Sequence, residues 1–208
     1  MVAVEDRRAG DGRDRSGLLT PAIIYVGRGC YPSSMGSEST IAASVRRATA
    51  ADAAEIATLV NRAYEVEGFF VEGNRTDEAE VAALCERGEI LVLDGPHVPG
   101  EPRTIVASVH VHAEAGGAVG ALGMLSVAPG LQGRGLGKRM VAVAEALCAA
   151  MGCIAMGLNV VNLRTELEAW YRSLGYRPIA TEPYVDRAVR RPCHFIVMQK
   201  PLAESLAA

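Results

Sequence analysis

The stretch from Ser126 to Met140, SVAPGLQGRGLGKRM, is rich in glycine and carries basic side chains. It carries glycines at positions 130, 133, 135 and 137 and lies between an apolar run and the start of an amphipathic helix pattern. A strand that delivers a Gly-rich turn to a helix N-terminus binds anions, because unpaired N–H groups and the positive end of the helix dipole meet there. The stretch therefore predicts a phosphate site, with a plain strand-to-helix turn as the alternative.

Two well-known phosphate loops do not fit this stretch. A P-loop would need Gly at position 132 and Ser or Thr at position 139, where the sequence has Gln132 and Arg139. A dinucleotide-binding fingerprint that began at Gly133 would need Gly at 138, and one that began at Gly135 would need Gly at 140. The sequence has Lys138 and Met140 at these positions. The sequence excludes both loops and leaves a different glycine spacing to be explained.

The remaining pattern, Gln132-x-x-Gly135-x-Gly137, resembles the central motif Q/R-x-x-G-x-G/A of the GCN5-related N-acetyltransferases, the GNAT family. The strand GALGMLSVAP before it, the helix after it, and the later segments WYRSLGYRP and FIVMQKPL extend the resemblance to about residues 45–202. It implies an α/β fold, the GNAT acyl-CoA N-acyltransferase fold, in which helices flank a mixed central sheet with splayed fourth and fifth strands. It also implies acetyl-CoA as the co-substrate.

The resemblance assigns most of the cofactor contacts to the fourth strand and the glycine loop. In this family the strand lends backbone groups to the pantetheine arm, and the loop amides bind the pyrophosphate. These contacts fall on Leu125, Val127, Gln132, Gly133, Arg134, Gly135, Leu136, Gly137 and Lys138. The residue types in the loop suit these contacts. Glycines let phosphate oxygens approach the backbone, and basic side chains add positive charge for a ligand with three phosphates. For Arg134 and Arg139 a solvated helix start is the alternative.

Asn162 is the last cofactor contact that the resemblance implies, and its spacing departs from the family. The family commonly places an Asn seven residues before the Tyr of the last helix. Here Asn162 precedes Tyr171 by nine residues, and Arg164 occupies the seven-residue position. The alternative for Asn162 is a loop or capping residue beside the capping-box pattern Thr165-x-x-Glu168.

The reaction that the resemblance implies is N-acetyl transfer from acetyl-CoA to a primary amine, by direct attack in a ternary complex. The amine must lose a proton before it attacks, and the departing thiolate leaves more readily when an acid protonates it. The family assigns that acid to Tyr171, in WYRSLGY, and the oxyanion donor to the Val127 N–H. Helical spacing alone favours a core role for Tyr171. The competing function is a non-catalytic acyl-CoA-binding or regulatory module on the same fold.

The general base is the least defined part of the predicted site. Glu65 and Glu67, in AYEVEGFFVEGNR, lie in the region that shapes the acceptor groove in this family, and we take Glu67 as the catalytic candidate. His110 and His112 share one face of an alternating strand and could relay a proton, or be polar residues on a half-covered sheet. No metal is predicted, because this pair lacks a third ligand at a recognisable spacing.

The elements that must position these residues follow from the periodicity of the chain. From Ser44 onward the pattern predicts the order β-α-α-β-β-β-α-β-α-β, with one more strand near Tyr176. Gly116 and Gly117 mark a hairpin between two long strands. Pro129 closes the second of these strands, since it cannot donate to a sheet ladder. The glycine loop is therefore expected at the end of a strand.

The first 43 residues differ from the rest of the chain. They are charged, Gly-rich and interrupted by Pro21, so we expect a flexible N-terminal extension at 1–43, followed by a GNAT domain at 44–203. No signal peptide or membrane span is expected, since no apolar run reaches the ~18 residues that a span needs. MGSESTIAAS, from Met35, resembles an ordinary protein start, so we hypothesise that residues 1–34 lie upstream of the natural one.

Composition limits the partners and the compartment. The 208 residues carry a net charge of −3 and no polybasic block, which argues against nucleic acid as a partner. Five cysteines without a CxxC pair suit reduced thiols, so a cytoplasmic protein is predicted. The predicted partners are acetyl-CoA and an amine that the sequence does not identify, with no membrane. The sequence is also compatible with a homodimer.

Overall fold

The computed structural model describes residues 45–96, 100, 103–185 and 187–202. Its strands and helices follow the predicted order, including the additional strand after Tyr176. They are β1 (Val45–Arg47), α1 (Ala53–Tyr64), α2 (Glu78–Glu86), β2 (Ile90–Asp94), β3 (Ile105–Ala113), β4 (Val119–Val127), α3 (Leu136–Ala150), β5 (Ala155–Val161), α4 (Thr165–Ser173), β6 (Arg177–Pro183) and β7 (His194–Pro201). The extension predicted for 1–43 lies outside the described residues, and the domain limits at 44 and 203 stay predictions.

The strands form one mixed sheet in the order β1-β2-β3-β4-β5-β7-β6. Neighbouring strands pair antiparallel, except for β4 and β5, which are parallel. The parallel pair needs a crossover, and α3 supplies it. The predicted α/β fold with a mixed central sheet flanked by helices is therefore confirmed.

Polar side chains fix the starts of the first two helices. The Thr49 N–H donates to Asp52 Oδ2 at 2.8 Å ahead of α1, and Asp77 Oδ1 accepts from the Glu80 N–H at 2.8 Å at the start of α2. The bond from Glu80 is a cap, which satisfies an N–H group that α2 leaves without a partner. The bond from Thr49 spans the 3₁₀ turn Ala50–Asp52 that precedes α1. Arg46 also binds Asp52, with Nη1 2.8 Å from Oδ2, so β1 is tied to the start of α1.

Helices cover both faces of the sheet, so its central strands are buried on both sides. In β2, Leu91 and Leu93 pack in the layer that contains α3, whereas Ile90 and Val92 pack with α1 and α2. One strand serves both layers because successive side chains point to opposite faces. A strand with an unbroken apolar run is typical of a sheet covered on both faces.

The strands β4 and β5 pair over only part of their length. Val119–Leu122 pairs with Ala155–Leu158, and beyond Leu122 no residue of β5 is a register partner of β4. β5 stays paired with β7 from Ala155 to Val161. The predicted splay between the fourth and fifth strands is therefore confirmed. It leaves one edge of residues 123–127 open.

A β-bulge in β4 accompanies this opening. The register with β3 shifts by one residue between Gly123 and Ser126, and Met124 has a φ of 45°. As a result Leu122 and Leu125, three positions apart, both pack in the α3 layer, whereas Met124 packs with α1 and α2. A bulge bends its strand and increases the local twist. The bulge lies where the pairing of β4 with β5 ends.

Three properties of the described residues concern membrane spans, metal sites and the state of the cysteines. None of their helices has the length and apolar content of a membrane span. The same ranges contain no group of three or more His, Cys, Asp or Glu side chains placed to hold a metal ion. The four described cysteines are free thiols, with Cys85, Cys148 and Cys153 buried and Cys193 partly exposed.

Candidate active site

A cavity of about 310 Å³ opens beside the splayed end of β4. Its walls come from the end of α1 and the 3₁₀ turn that follows it, from β4 and from α4. Five residues of the predicted site line it together: Glu67, Leu125, Val127, Gln132 and Tyr171. The structure thus brings the predicted acid, the predicted base and the predicted strand contacts to one place.

The backbone of Val127 faces the open side of β4. The N–H of the next residue, Ala128, donates to Val106 O on β3 at 2.9 Å. Consecutive residues of a strand point their N–H groups to opposite sides, so the Val127 N–H points away from β3 and toward the gap. Gln132 Nε2 donates to Val127 O at 3.3 Å and ties the glycine loop to the strand. The gap therefore offers backbone groups to a ligand.

Two glycines of the loop hold conformations that a side chain would strain. Gly133 has a φ of 76°, and Gly135, directly before α3, has a φ of 80°, both in the left-handed region. A Cβ built on either residue meets nothing within 4 Å, so the space beside the loop is open. The first N–H groups of α3, from Leu136 onward, have no acceptor within the helix. Open space beside these N–H groups leaves them accessible to an anion.

Gly137 lies beside the Trp170 ring, a neighbour that the sequence did not predict. It lies in the first turn of α3, and a Cβ on it would be 3.6 Å from the Trp170 ring of α4. That distance is an ordinary van der Waals contact, so the packing of the two helices does not require glycine at position 137. Arg134 in the loop and Lys138 in the first turn of α3 are exposed, so their charges are available to an anion.

Tyr171 is both a core residue and a cavity residue. Its side chain is 5% exposed, and its ring packs edge-to-face against Trp170 and Tyr176, with centroids 4.8 Å and 5.5 Å away. No hydrogen bond among the described residues uses its hydroxyl. Burial raises the pKa of Tyr171 well above its ordinary value. The phenol therefore stays protonated through the neutral range and can donate.

Glu67 is a buried carboxylate held by two guanidinium groups. Its Oε1 lies 3.2 Å from Arg164 Nη1, and its Oε2 lies 3.0 Å from Arg187 Nη2. The Glu67 side chain is 7% exposed. Burial raises the pKa of Glu67, and the two arginines oppose that increase. Both carboxylate oxygens are thus engaged, although Glu67 lines the cavity.

Three side chains of the site were not predicted from the sequence. Tyr64 lines the cavity from the last turn of α1, and Arg164 lines it from the residue before α4. Arg187 reaches Glu67 from the connection between β6 and β7. The only signal for Arg164 was its position seven residues before Tyr171. No local sequence pattern predicts a role for Arg187, because its partner Glu67 is 120 residues away.

Asn162 lies at the end of β5 and is not among the residues that line the cavity. Its Oδ1 accepts from the His194 N–H at 2.9 Å, and its own N–H donates to His194 O at 3.0 Å. These bonds join the end of β5 to the start of β7. They favour the structural alternative for Asn162 over a contact with the pantetheine arm.

His110 and His112 are also not among the residues that line the cavity. Their rings stack with centroids 4.7 Å apart, and His110 Nε2 lies 3.2 Å from Glu89 Oε2. Burial lowers the pKa of His110, as does the charge of His112. These contacts favour polar residues within the covered sheet over a proton relay.

Comparison with known proteins addresses the predicted family directly. A model of the acetyltransferase (GNAT) family matches residues 55–176, more than half of the chain. The chain belongs to the GNAT acetyltransferase family. The match runs from α1 through the glycine loop to the end of α4, so it contains every residue that lines the cavity. No curated protein matches the sequence.

Solved structures show the same GNAT fold. The yncA protein of Salmonella typhimurium, assigned as an acetyltransferase and solved with its cofactor acetyl-CoA, is 20% identical with a TM-score of 0.62, over 80% of this chain and 98% of that one. A phosphinothricin acetyltransferase of Sinorhizobium meliloti, in complex with acetyl-CoA, is 20% identical with a TM-score of 0.60, over 81% and 92%. A ribosomal-protein-alanine N-acetyltransferase of Brucella melitensis is 19% identical with a TM-score of 0.61, over 76% and 99%.

Proposed function

We propose that this GNAT protein transfers the acetyl group of acetyl-CoA to a primary amine, by direct attack of the amine in a ternary complex. The observation that carries the proposal is the single cavity that joins Tyr171 to the open edge of β4. The glycine loop and the N-terminus of α3 continue from that edge. An anion site, a free strand edge and an acid are therefore adjacent.

The site residues fit acetyl-CoA, and two solved relatives of this fold carry that molecule. The stretch Gln132–Lys138 would hold the pyrophosphate through backbone N–H groups, with Arg134 and Lys138 adding charge. Leu125 and Val127 would hold the pantetheine arm through the open edge of β4. The open space beside Gly133 and Gly135 supports this assignment.

The chemistry that acetyl-CoA supplies is an activated acetyl group, whose C–S bond breaks as the amine nitrogen forms a C–N bond. The Val127 N–H, which points into the gap, is the proposed donor to the developing oxyanion. Tyr171 donates its phenolic proton to the departing sulfur. The raised pKa of Tyr171 means that the phenol is protonated at neutral pH, so the proton is present when the C–S bond breaks.

Glu67 is proposed to position the acceptor side of the cavity. To accept a proton, its carboxylate would have to give up part of its interaction with Arg164 or Arg187. An amine that binds in its unprotonated form needs no base before it attacks. The proton that its nitrogen loses as the amide forms passes to water, and water returns a proton to the Tyr171 phenolate. Guanidinium groups near a bound amine favour the unprotonated form, because a like charge lowers the pKa of an ammonium.

The test is amine-dependent release of thiol from acetyl-CoA by the purified protein. We expect acetyl-CoA to bind in calorimetry and a panel of primary amines to include at least one that gives thiol release and an N-acetylated product by mass spectrometry. Binding of acetyl-CoA without amine-dependent release would instead support the non-catalytic acyl-CoA-binding module.

Two broader predictions stay proposals. The free cysteines suit a reducing compartment, so we propose the cytoplasm, which fractionation of cells that express the native gene would test. A homodimer is the assembly to examine first. Sedimentation velocity with and without acetyl-CoA would measure it.

A further inference from the structure

Positive charge exceeds negative charge on the acceptor side of the cavity. Glu67 is one buried carboxylate, and both Arg164 and Arg187 bind it, with side chains 16% and 14% exposed. A single carboxylate balances only one of these guanidinium groups. Because an uncompensated buried charge is costly, the second one favours a further anionic partner.

Arg164 has hydrogen-bonding capacity to spare at the cavity. Its Nη1 donates to Glu67 Oε1 at 3.2 Å, and its Nε donates to Glu166 Oε1 at 2.5 Å. The Glu166 side chain is 65% exposed, so water screens its charge. Among the described residues no hydrogen bond uses Arg164 Nη2, while Arg164 is part of the cavity lining. Two N–H donors of Nη2 are therefore available to a ligand.

Arg75 adds a further positive charge to this side of the cavity. Its Cζ lies 5.8 Å from the centre of the Tyr64 ring, and Tyr64 lines the cavity. Within the described ranges, no carboxylate forms an ion pair with Arg75. Around the acceptor side, three arginines thus stand against two carboxylates, Glu67 and the exposed Glu166. The sum of these charges is one excess positive charge.

We propose that the amine acceptor also carries a carboxylate, and that Arg164 binds this carboxylate through Nη2. This inference rests on the proposed acetyl transfer and names the class of its acceptor, an aminocarboxylate. An amine without an anionic group would leave the excess guanidinium charge unpaired. A carboxylate pairs with it, since charge-assisted bonds from guanidinium to carboxylate are among the stronger hydrogen bonds in proteins. Arg164 is then a residue that determines acceptor specificity.

The experiment compares α-amino acids with the matching α-amino-acid amides as acceptors. Each pair offers the same side chain and amine, and only the acid carries the carboxylate. Values of kcat/KM are expressed per concentration of unprotonated amine, because the two amines differ in pKa. For the best acceptor, we expect the acid to exceed its amide by at least about tenfold.

Arg164→Gln and Arg172→Gln separate recognition from folding. Arg172 lies on the exposed face of α4, where it pairs with Glu168 at 2.7 Å, so it is the matched control. In Arg164→Gln we expect the acid-to-amide ratio of kcat/KM to fall about tenfold. A merely structural role would lower both values together and leave the ratio intact. Arg172→Gln should keep the wild-type ratio.

The outcomes distinguish this inference from the proposed function. Acetylation of amides or of amines without a carboxylate at rates equal to those of the acids would overturn the aminocarboxylate proposal and leave acetyl transfer standing. An unchanged acid-to-amide ratio in Arg164→Gln would overturn the role of Arg164. Binding of acetyl-CoA without acetylation of any amine would refute both proposals.

Discussion

Glu67 and Arg187 are 120 residues apart in the sequence, and their Oε2 and Nη2 atoms lie 3.0 Å apart in the fold. The pair joins the turn after α1 to the connection between β6 and β7. Backbone bonds reinforce the same junction, since the Glu72 N–H donates to Ala188 O and the Arg190 N–H donates to Phe70 O. One wall of the cavity is thus fastened from a distant part of the chain.

Glu67→Gln tests this fastening. Loss of the charge leaves two buried guanidinium groups without their carboxylate, so we expect a loss of about 3 kcal/mol in the free energy of unfolding. The KM for the amine should rise while the affinity for acetyl-CoA stays the same. Glu72→Gln is the matched control, because Glu72 forms an exposed pair with Arg190 at 3.6 Å and should cost less than about 1 kcal/mol.

The pH profile of Glu67→Gln decides between positioning and proton transfer. Positioning predicts a profile of kcat with the same shape as that of the wild type. A lower kcat whose acidic limb has moved, at unchanged KM, would restore Glu67 as the general base.

Tyr171→Phe should lower kcat by about 10²-fold, as expected when a general acid is lost. Acetyl-CoA affinity and the melting temperature should change little, because no hydrogen bond among the described residues uses the Tyr171 hydroxyl. Tyr176→Phe is the control, since its hydroxyl donates to Glu145 Oε1 at 2.9 Å. That variant should lose about 1 kcal/mol of stability and keep its kcat. Wild-type turnover in Tyr171→Phe, with chemistry rate-limiting, would make Tyr171 a packing residue.

Alanine substitutions at two glycines of the loop should have opposite effects. Gly135→Ala forces a side chain into a φ of 80°, so we expect a loss of about 1 kcal/mol in stability and at least tenfold weaker binding of acetyl-CoA. Gly137→Ala places its Cβ at an ordinary 3.6 Å from Trp170 and should gain about 0.5 kcal/mol with unchanged binding. Thermal unfolding and calorimetry measure both. Equal affinity in the two variants would contradict the pyrophosphate assignment.

The pH dependence of stability should report on His110. Burial lowers its pKa below the ordinary value of about 6.5, so on acidification the unfolded chain takes up a proton before the folded protein does. Stability is therefore lost as the pH falls from about 6.5 toward the lowered pKa. Denaturation at pH 7.5 and 5.5 should show a larger loss for the wild type than for His110→Gln. The pH profile of kcat should be the same in both, and a shift in it would bring His110 into the mechanism.

Local patterns account for what the sequence could predict. The period of the apolar residues defines the strands and helices, and the glycine loop is a contiguous motif, so both are visible without a structure. Tyr171 could be named as a site candidate for the same reason, because its motif lies within one helix and the turn after it.

The rest of the site depends on distant contacts that no local pattern records. Arg187 and Glu67 meet only because β6 and β7 return beside the turn after α1. The bulge at Met124 was missed because the residues of β4 fit a regular strand equally well. Asn162 was named as a pantetheine contact from the resemblance although its spacing departs from the family, and its bonds to His194 come from the pairing of the ends of β5 and β7.

The extra residue in β4 has a consequence for how the binding surface is encoded. Two residues of β4 oppose one residue of β3 at the bulge, and pairing with β5 ends at Leu122, just before it. Deletion of Met124 would remove the excess residue and leave Leu125 and Val127 on their present sides of the sheet. The straightened strand would then be free to continue its ladder with β5. The open edge of β4 thus coincides with one extra residue in the strand, and we expect a single in-frame deletion to close it while the sheet survives.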